Sequence, residues 1–188
     1  MKKKAVLLGD SIRWCGYGNR TAELLADDYT VYQPSENCRY VKYTLRMLFD
    51  RREEIAGADV IHWNNGLWDT YDPFHEGILF TSLEEYTENI LRVADRLQKI
   101  APHVIFATTT PVRADTEWWY DRNGAIRRYN EAVVPELEKR GILINDLHAL
   151  VEPRAMEFIR EDDKVHLTPA GSEACARQVA EAIRRAGM

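Results

Sequence analysis

The chain has 188 residues, 45% of them hydrophobic and 29% charged, which suits one globular domain over residues 1–188 with a sizeable core. A net charge of −5 argues against nucleic acid as a partner. No apolar run approaches the roughly 20 residues needed to cross a bilayer, so no membrane partner is expected either.

In chain order, short β-rich runs alternate with longer helical patterns. Lysines 2–4 precede a small apolar run at 5–9 that suits a buried strand. That run is shorter than the roughly 7–15 residues of a secretory leader, so the expected location is the cytoplasm. A short helix over 19–27 presents Leu24 and Leu25, and residues 29–32 form a second strand stopped by Pro34. Val41, Leu45, Leu48 and Phe49 keep helical spacing over 39–52, and a third strand covers 58–63. Ser82-Leu83-Glu84-Glu85 reads as a capping box that opens a helix ending before Pro102. A fourth strand at 104–108 and a helix over 122–139 follow; Pro135 is expected to kink or split that helix, and Gly141 suits its C-cap. Residues 142–144 make the fifth strand, and Thr168-Pro169 opens the last helix as N-cap and N1. Segments 68–81 and 113–121 are irregular insertions.

Five strand–helix alternations predict a five-stranded parallel sheet with helices on both faces, a flavodoxin-like three-layer α/β/α sandwich. A (β/α)8 barrel typically needs ~250 residues, more than this chain offers. Ligands of such sheets bind beyond the C-terminal ends of the strands, so the residues there are the functional candidates. Cys15, Cys38 and Cys175 are odd in number and lack C-x-x-C spacing, which points to free thiols; Cys15 lies beside the motif described next. No His/Cys/carboxylate cluster has ligand spacing, so neither a metal nor a cofactor is expected.

Ser11 follows the first strand on a sharp turn, where its hydroxyl can face the cleft. A serine attacks an acyl carbon only if a base takes its proton. Of the five histidines, His62 lies within the third strand and His103 at the wrong end of the fourth, while His75 and His148 stay open as candidates. His166 stands three residues after Asp163, just before a capped helix, so the carboxylate can orient one ring nitrogen and leave the other for a serine. Taken alone, the pair also fits a polar surface loop.

Gly9-Asp10-Ser11-Ile12 near one end, with Asp163-x-x-His166 near the other, resembles the SGNH (GDSL-type) hydrolases. The resemblance implies a serine esterase without a metal, with Ser11 as nucleophile, His166 as base and then acid, and Asp163 as its orienting partner. It also implies an oxyanion hole built from the serine's own N–H, a glycine N–H and an asparagine side chain. Here the sequence departs from the pattern. Glu36-Asn37-Cys38 stands where the glycine is usual, and Trp63-Asn64-Asn65-Gly66-Leu67-Trp68 replaces the Gly-x-Asn-Asp block. The latter looks like an Asn-x-Gly-x-Trp variant linked to carbohydrate O-acetyl groups. Asn64 is then the expected donor, Asn65 the second choice, and Asn37 the expected site of a backbone donor.

Trp14, Trp63, Trp68, Trp118 and Trp119 fall near the cleft-side loops and suit a sugar ring, and Arg13 suits an anionic or polar group. The expected reaction is hydrolysis of a short acyl ester, acetyl foremost, on a small molecule or carbohydrate. An acyltransferase using the same serine is the alternative within catalysis. A non-catalytic flavodoxin-like binding domain is the alternative outside it, but the loop after the first strand is not a phosphate-cradling Gly-x-Gly-x-x-Gly.

Overall fold

The five short apolar runs become the strands of one sheet in the computed structural model, which describes residues 2–188. They are β1 (Lys3–Gly9), β2 (Tyr29–Tyr32), β3 (Val60–Asn64), β4 (His103–Ala107) and β5 (Leu143–Asn145). All pair in parallel, in the order β2-β1-β3-β4-β5. The helices are α1 (Gly18–Leu25), α2 (Val41–Asp50), α3 (Arg52–Ile55), α4 (Leu83–Leu97), α5 (Arg122–Lys139), α6 (Leu147–Val151), α7 (Ala155–Phe158) and α8 (Pro169–Ala186).

Side chains alternate across a strand, so β1 supplies both cores. Ala5 and Leu7 join Val60, Ile105 and the inward residues of α1 and α8. Val6 and Leu8 join Ile61, Trp63 and Phe106 beneath α2, α4 and α5. The sheet is thus covered on both faces, the expected α/β/α sandwich. No helix among the described residues is long and apolar enough to cross a membrane.

The helix starts obey their caps. Ser82 Oγ accepts the Glu85 N–H at 3.2 Å, and Thr168 Oγ1 accepts the Gly171 N–H at 3.1 Å. The reciprocal half of the capping box is absent, because the Glu85 carboxylate pairs with Lys42 instead. Pro135 does not split α5, which runs unbroken from Arg122 to Lys139. One missing helix bond is tolerated there because Ile126, Tyr129, Val133 and Leu137 anchor both halves in the core. Three short elements lack a strong sequence period: a π-helix at Ile12–Tyr17, and α6 and α7 between β5 and α8.

The two insertions meet above the C-terminal ends of β3 and β4. The Tyr120 hydroxyl donates to Thr70 O at 2.6 Å, the Trp119 indole N–H to Asp72 at 3.2 Å, and the His75 ring stacks on Trp119 at 3.6 Å. Those contacts raise a wall on one side of the cleft.

Candidate active site

β1 ends in Gly9 with φ +155°, and the chain then turns at once into a helical conformation at Ser11. A side chain at Gly9 would put its Cβ 2.0 Å from Asn64 Oδ1, so only glycine lets β1 and β3 close here. The Ser11 N–H heads the following helix, where no earlier turn supplies a carbonyl. The next N–H, of Ile12, is capped by Asp10 Oδ1 at 2.9 Å. The π-helix after Ser11 is broken at Gly16, whose φ and ψ are −106° and −107°. Such wide turns recur at functional sites because they re-aim neighbouring side chains.

The loop before α8 brings the other half. His166 Nε2 lies 2.9 Å from Ser11 Oγ, and His166 Nδ1 lies 3.0 Å from Asp163 Oδ2. Asp163 Oδ1 meanwhile accepts the backbone N–H groups of Val165 and His166 at 2.9 and 2.8 Å. Partial burial pushes the Asp163 carboxyl up, but those two N–H groups and the imidazole outweigh it and hold its pKa below the usual range. An ionised Asp163 takes the Nδ1–H and leaves the lone pair of Nε2 facing Ser11. The loop is fixed from behind: Arg160 N donates to His166 O at 2.8 Å, and Arg113 N to Lys164 O at 2.9 Å.

The two adjacent asparagines point in different directions, as alternation at a strand end requires. Asn64 Nδ2 donates to Asp10 Oδ1 at 2.7 Å and its Oδ1 accepts the Tyr17 hydroxyl at 2.9 Å, leaving one amide N–H beyond these two bonds. Asn65 is fully buried on the far side. Its Nδ2 donates to Arg39 O and its Oδ1 accepts from Thr44, so it does not reach the cleft. Asn37 does line the cleft, with its Oδ1 taken by the Arg39 N–H at 2.7 Å.

Arg13 also departs from expectation. Only 1% exposed, it turns away from the cleft and donates to Pro34 O at 2.8 Å, Glu36 O at 2.7 Å and Gly9 O at 3.1 Å. Its position two residues after Ser11, on a helix, carries it behind Ser11. Trp63 is a core residue packed on Phe106. His62 is buried, its Nε2 3.1 Å from Asn145 Nδ2, and burial pushes its pKa down to about 3. His103 is exposed at the start of β4, and neither histidine touches the cleft. The thiol of Cys15 is at the cleft, but burial raises its pKa, the wrong direction for a reactive thiolate.

Ser11, Asp163 and His166 open into a cleft of ≈ 610 Å³ walled by Trp14, Trp68, Tyr71, Trp118 and Trp119. Tyr71 and Arg122 in this wall were invisible to sequence reasoning, because they sit on or beside irregular insertions with no period to orient them. A separate cavity of ≈ 470 Å³ between β5 and α8 shares no residue with this cleft. The described residues contain no cluster of His, Cys, Asp and Glu that would hold a metal ion.

Solved structures with the same architecture share little sequence with this chain. An acetyl xylan esterase, AlAXEase, superposes with a TM-score of 0.79 at 20% identity, covering 96% of this chain and 99% of its own. The acetylxylan esterase Axe2 from Geobacillus stearothermophilus gives 0.75 at 21%, covering 96% and 94%. A protein from Slackia heliotrinireducens, provisionally assigned as an SGNH hydrolase, gives 0.74 at 19%, covering 96% and 98%. The fold is that of the SGNH hydrolases. No protein-family model and no curated protein sequence matches the chain. Within the SGNH fold, the cleft lies at the C-terminal strand ends, where open α/β sheets place their ligands.

Proposed function

We propose that this chain is a serine esterase of the SGNH type that removes a short acyl group, acetyl foremost, from a carbohydrate ester. The observation that carries this reading is the relay from Asp163 Oδ2 through His166 to Ser11 Oγ, with links of 3.0 and 2.9 Å. The names of two similar structures, both acetyl xylan esterases, support the acetyl group and the carbohydrate.

In this reading His166 Nε2 takes the Ser11 proton as Oγ attacks the ester carbon. The carbonyl oxygen becomes an anion, met by the Ser11 N–H, the free amide N–H of Asn64 and a donor at Asn37. The imidazolium, stabilised by Asp163, returns the proton to the alcohol oxygen as the C–O bond breaks. Water, deprotonated by His166, then attacks the acyl-Ser11 carbonyl and releases the acid and the free serine. Exposed Trp14, Trp68 and Trp119 offer faces on which a sugar ring can lie.

Turnover of nitrophenyl esters from acetate to octanoate, alongside acetylated sugars, tests the proposal. Acetate is expected to exceed octanoate, with EDTA having no effect. Absence of turnover on every ester, or activity lost to EDTA and restored by a divalent ion, would overturn it.

A further inference from the structure

Arg122, the first residue of α5, stands in the cleft wall as a buried cation without a counter-ion. The residue is only 5% exposed. Its Nε is buried with no hydrogen-bond partner. No carboxylate among the described residues lies within ion-pair distance of it, although arginines elsewhere, such as Arg20 and Arg113, are paired. Its guanidinium carbon instead lies 4.9 Å from the centre of the Tyr71 ring and 4.5 Å from that of Trp118. Ring faces attract a cation, but they supply no oxygen acceptor for its N–H groups.

The neighbourhood makes this deliberate rather than incidental. Arg122 is the only lysine or arginine among the described residues lining the cleft. The only carboxylate there, Asp163, is engaged by His166 and two backbone N–H groups. A cation held in place by two rings, desolvated and unpaired, is a receptor lacking its anion. Tyr71 and Trp118 come from the two insertions, so the irregular segments and the arginine together form one pocket wall.

We propose that Arg122 is a specificity-determining residue that binds a carboxylate on the substrate, so that the preferred ester is an acylated acidic sugar rather than a neutral one. This rests on the esterase reading and names the class of its substrate. A carboxylate fits because the guanidinium presents its N–H groups in a planar fork that such a group meets through two parallel bonds. The sugar ring then lies along the exposed tryptophans, with its acyl ester toward Ser11. Nothing in the transfer step changes: the charged group stays intact, and only the distant binding contact is added.

The probes are an O-acetylated galacturonic acid oligosaccharide and the same compound as its methyl ester, with 4-nitrophenyl acetate as a neutral standard. The intact protein is expected to favour the free acid over its methyl ester in kcat/KM by about tenfold or more, as a charge-assisted contact implies. Raising ionic strength should erode that ratio. Arg122→Met should collapse the ratio to near one, whatever it does to the absolute rates, while Arg122→Lys should keep part of it. A purely structural Arg122 predicts that acid and methyl ester are equal in the parent and fall together in the variant, and that result overturns the proposal. Failure of the esterase reading is read separately, as no turnover of 4-nitrophenyl acetate. In that event, calorimetric titration of the protein with galacturonate still reports on Arg122, and no binding, or binding unchanged in Arg122→Met, overturns it.

Discussion

Asp10 and Asn64 are joined by a 2.7 Å hydrogen bond, Nδ2 to Oδ1, in a region closed to solvent. The bond ties the residue before Ser11 to the last residue of β3, which pairs with Gly9 in register. Burial pushes the Asp10 carboxyl pKa up, and the Ile12 N–H and the Asn64 amide counteract that rise. Ser11 and the Asn64 amide are therefore held on one continuous piece of β1 and β3.

Asn64→Ala should lower kcat far more than it raises KM, by roughly 10²–10³-fold, because the amide meets charge that exists only in the transition state. It should also lower the melting temperature, since Asp10 Oδ1 keeps only the Ile12 N–H and the Tyr17 hydroxyl loses its acceptor. Steady-state kinetics with a thermal melt checks both. An unchanged kcat would remove Asn64 from the oxyanion hole. Asn65→Ala, by contrast, should act on stability, through Arg39 O and Thr44.

For Arg13 the expected effect is on the fold. Arg13→Ala leaves the carbonyls of Pro34 and Glu36 without their side-chain donor, leaves Gly9 O with the Cys38 N–H alone, and empties the volume of a large side chain. The loss should be at least about 2 kcal/mol. Denaturant unfolding measures it. A fully stable variant whose only defect is a higher KM would restore Arg13 to the substrate site.

These cases show what the sequence makes legible. Element type followed from period and caps, as at Ser82, Thr168 and the unbroken apolar stripe of α5. The approach of His166 to Ser11 was expected from the resemblance of Gly9-Asp10-Ser11-Ile12 and Asp163-x-x-His166 to the SGNH hydrolases, because the Asp163–His166 pair alone fits a polar surface loop equally well. The direction of a side chain at a strand end was not legible. Asn64 and Asn65 look alike as letters, and only the pleat sends one toward Asp10 and the other toward Arg39. The same holds for the two arginines. Arg13 is adjacent to the motif yet faces backward, whereas Arg122 is remote in sequence and faces the cleft. Its position depends on how two aperiodic insertions pack, which no local pattern encodes.

Asp69 sets a pH dependence of stability. Buried beside Thr81 and the Val41 N–H, it has its pKa pushed up to about 7 by loss of solvation, against the pull of those hydrogen bonds. A carboxyl with a raised folded pKa holds its proton more tightly when folded. Its contribution is therefore most favourable below its ordinary value near 3.8 and is lost as pH rises through about 7. Relative to Asp69→Asn, the parent protein should gain stability on going from pH 8 to pH 4, by an amount on the order of a few kcal/mol at most. Paired melts across that range measure the difference between the two proteins. A difference that is flat with pH would mean that folding does not raise the Asp69 pKa.

The final prediction concerns Ser11, His166 and Asp163 acting as one unit. Ser11→Ala removes the attacking oxygen, and the fold should survive because that hydroxyl's partner is His166 alone. His166→Ala leaves the serine protonated, so either single variant should lose roughly 10³-fold or more in kcat. The double variant should be little worse than either single, since both groups serve the same step and the second loss removes nothing further. Asp163→Asn should be comparable or milder. It keeps the side-chain shape, but its amide no longer holds the proton on Nδ1, nor stabilises the imidazolium. Its loop should hold, because the asparagine Oδ1 can still accept the Val165 and His166 N–H groups. His103→Gln, exposed at the opposite end of β4, is the control expected to turn over normally. Circular dichroism must show each variant folded before its rate is read. A folded Ser11→Ala protein with near-normal turnover, or losses that multiply in the double variant, would dismantle the relay as the source of activity.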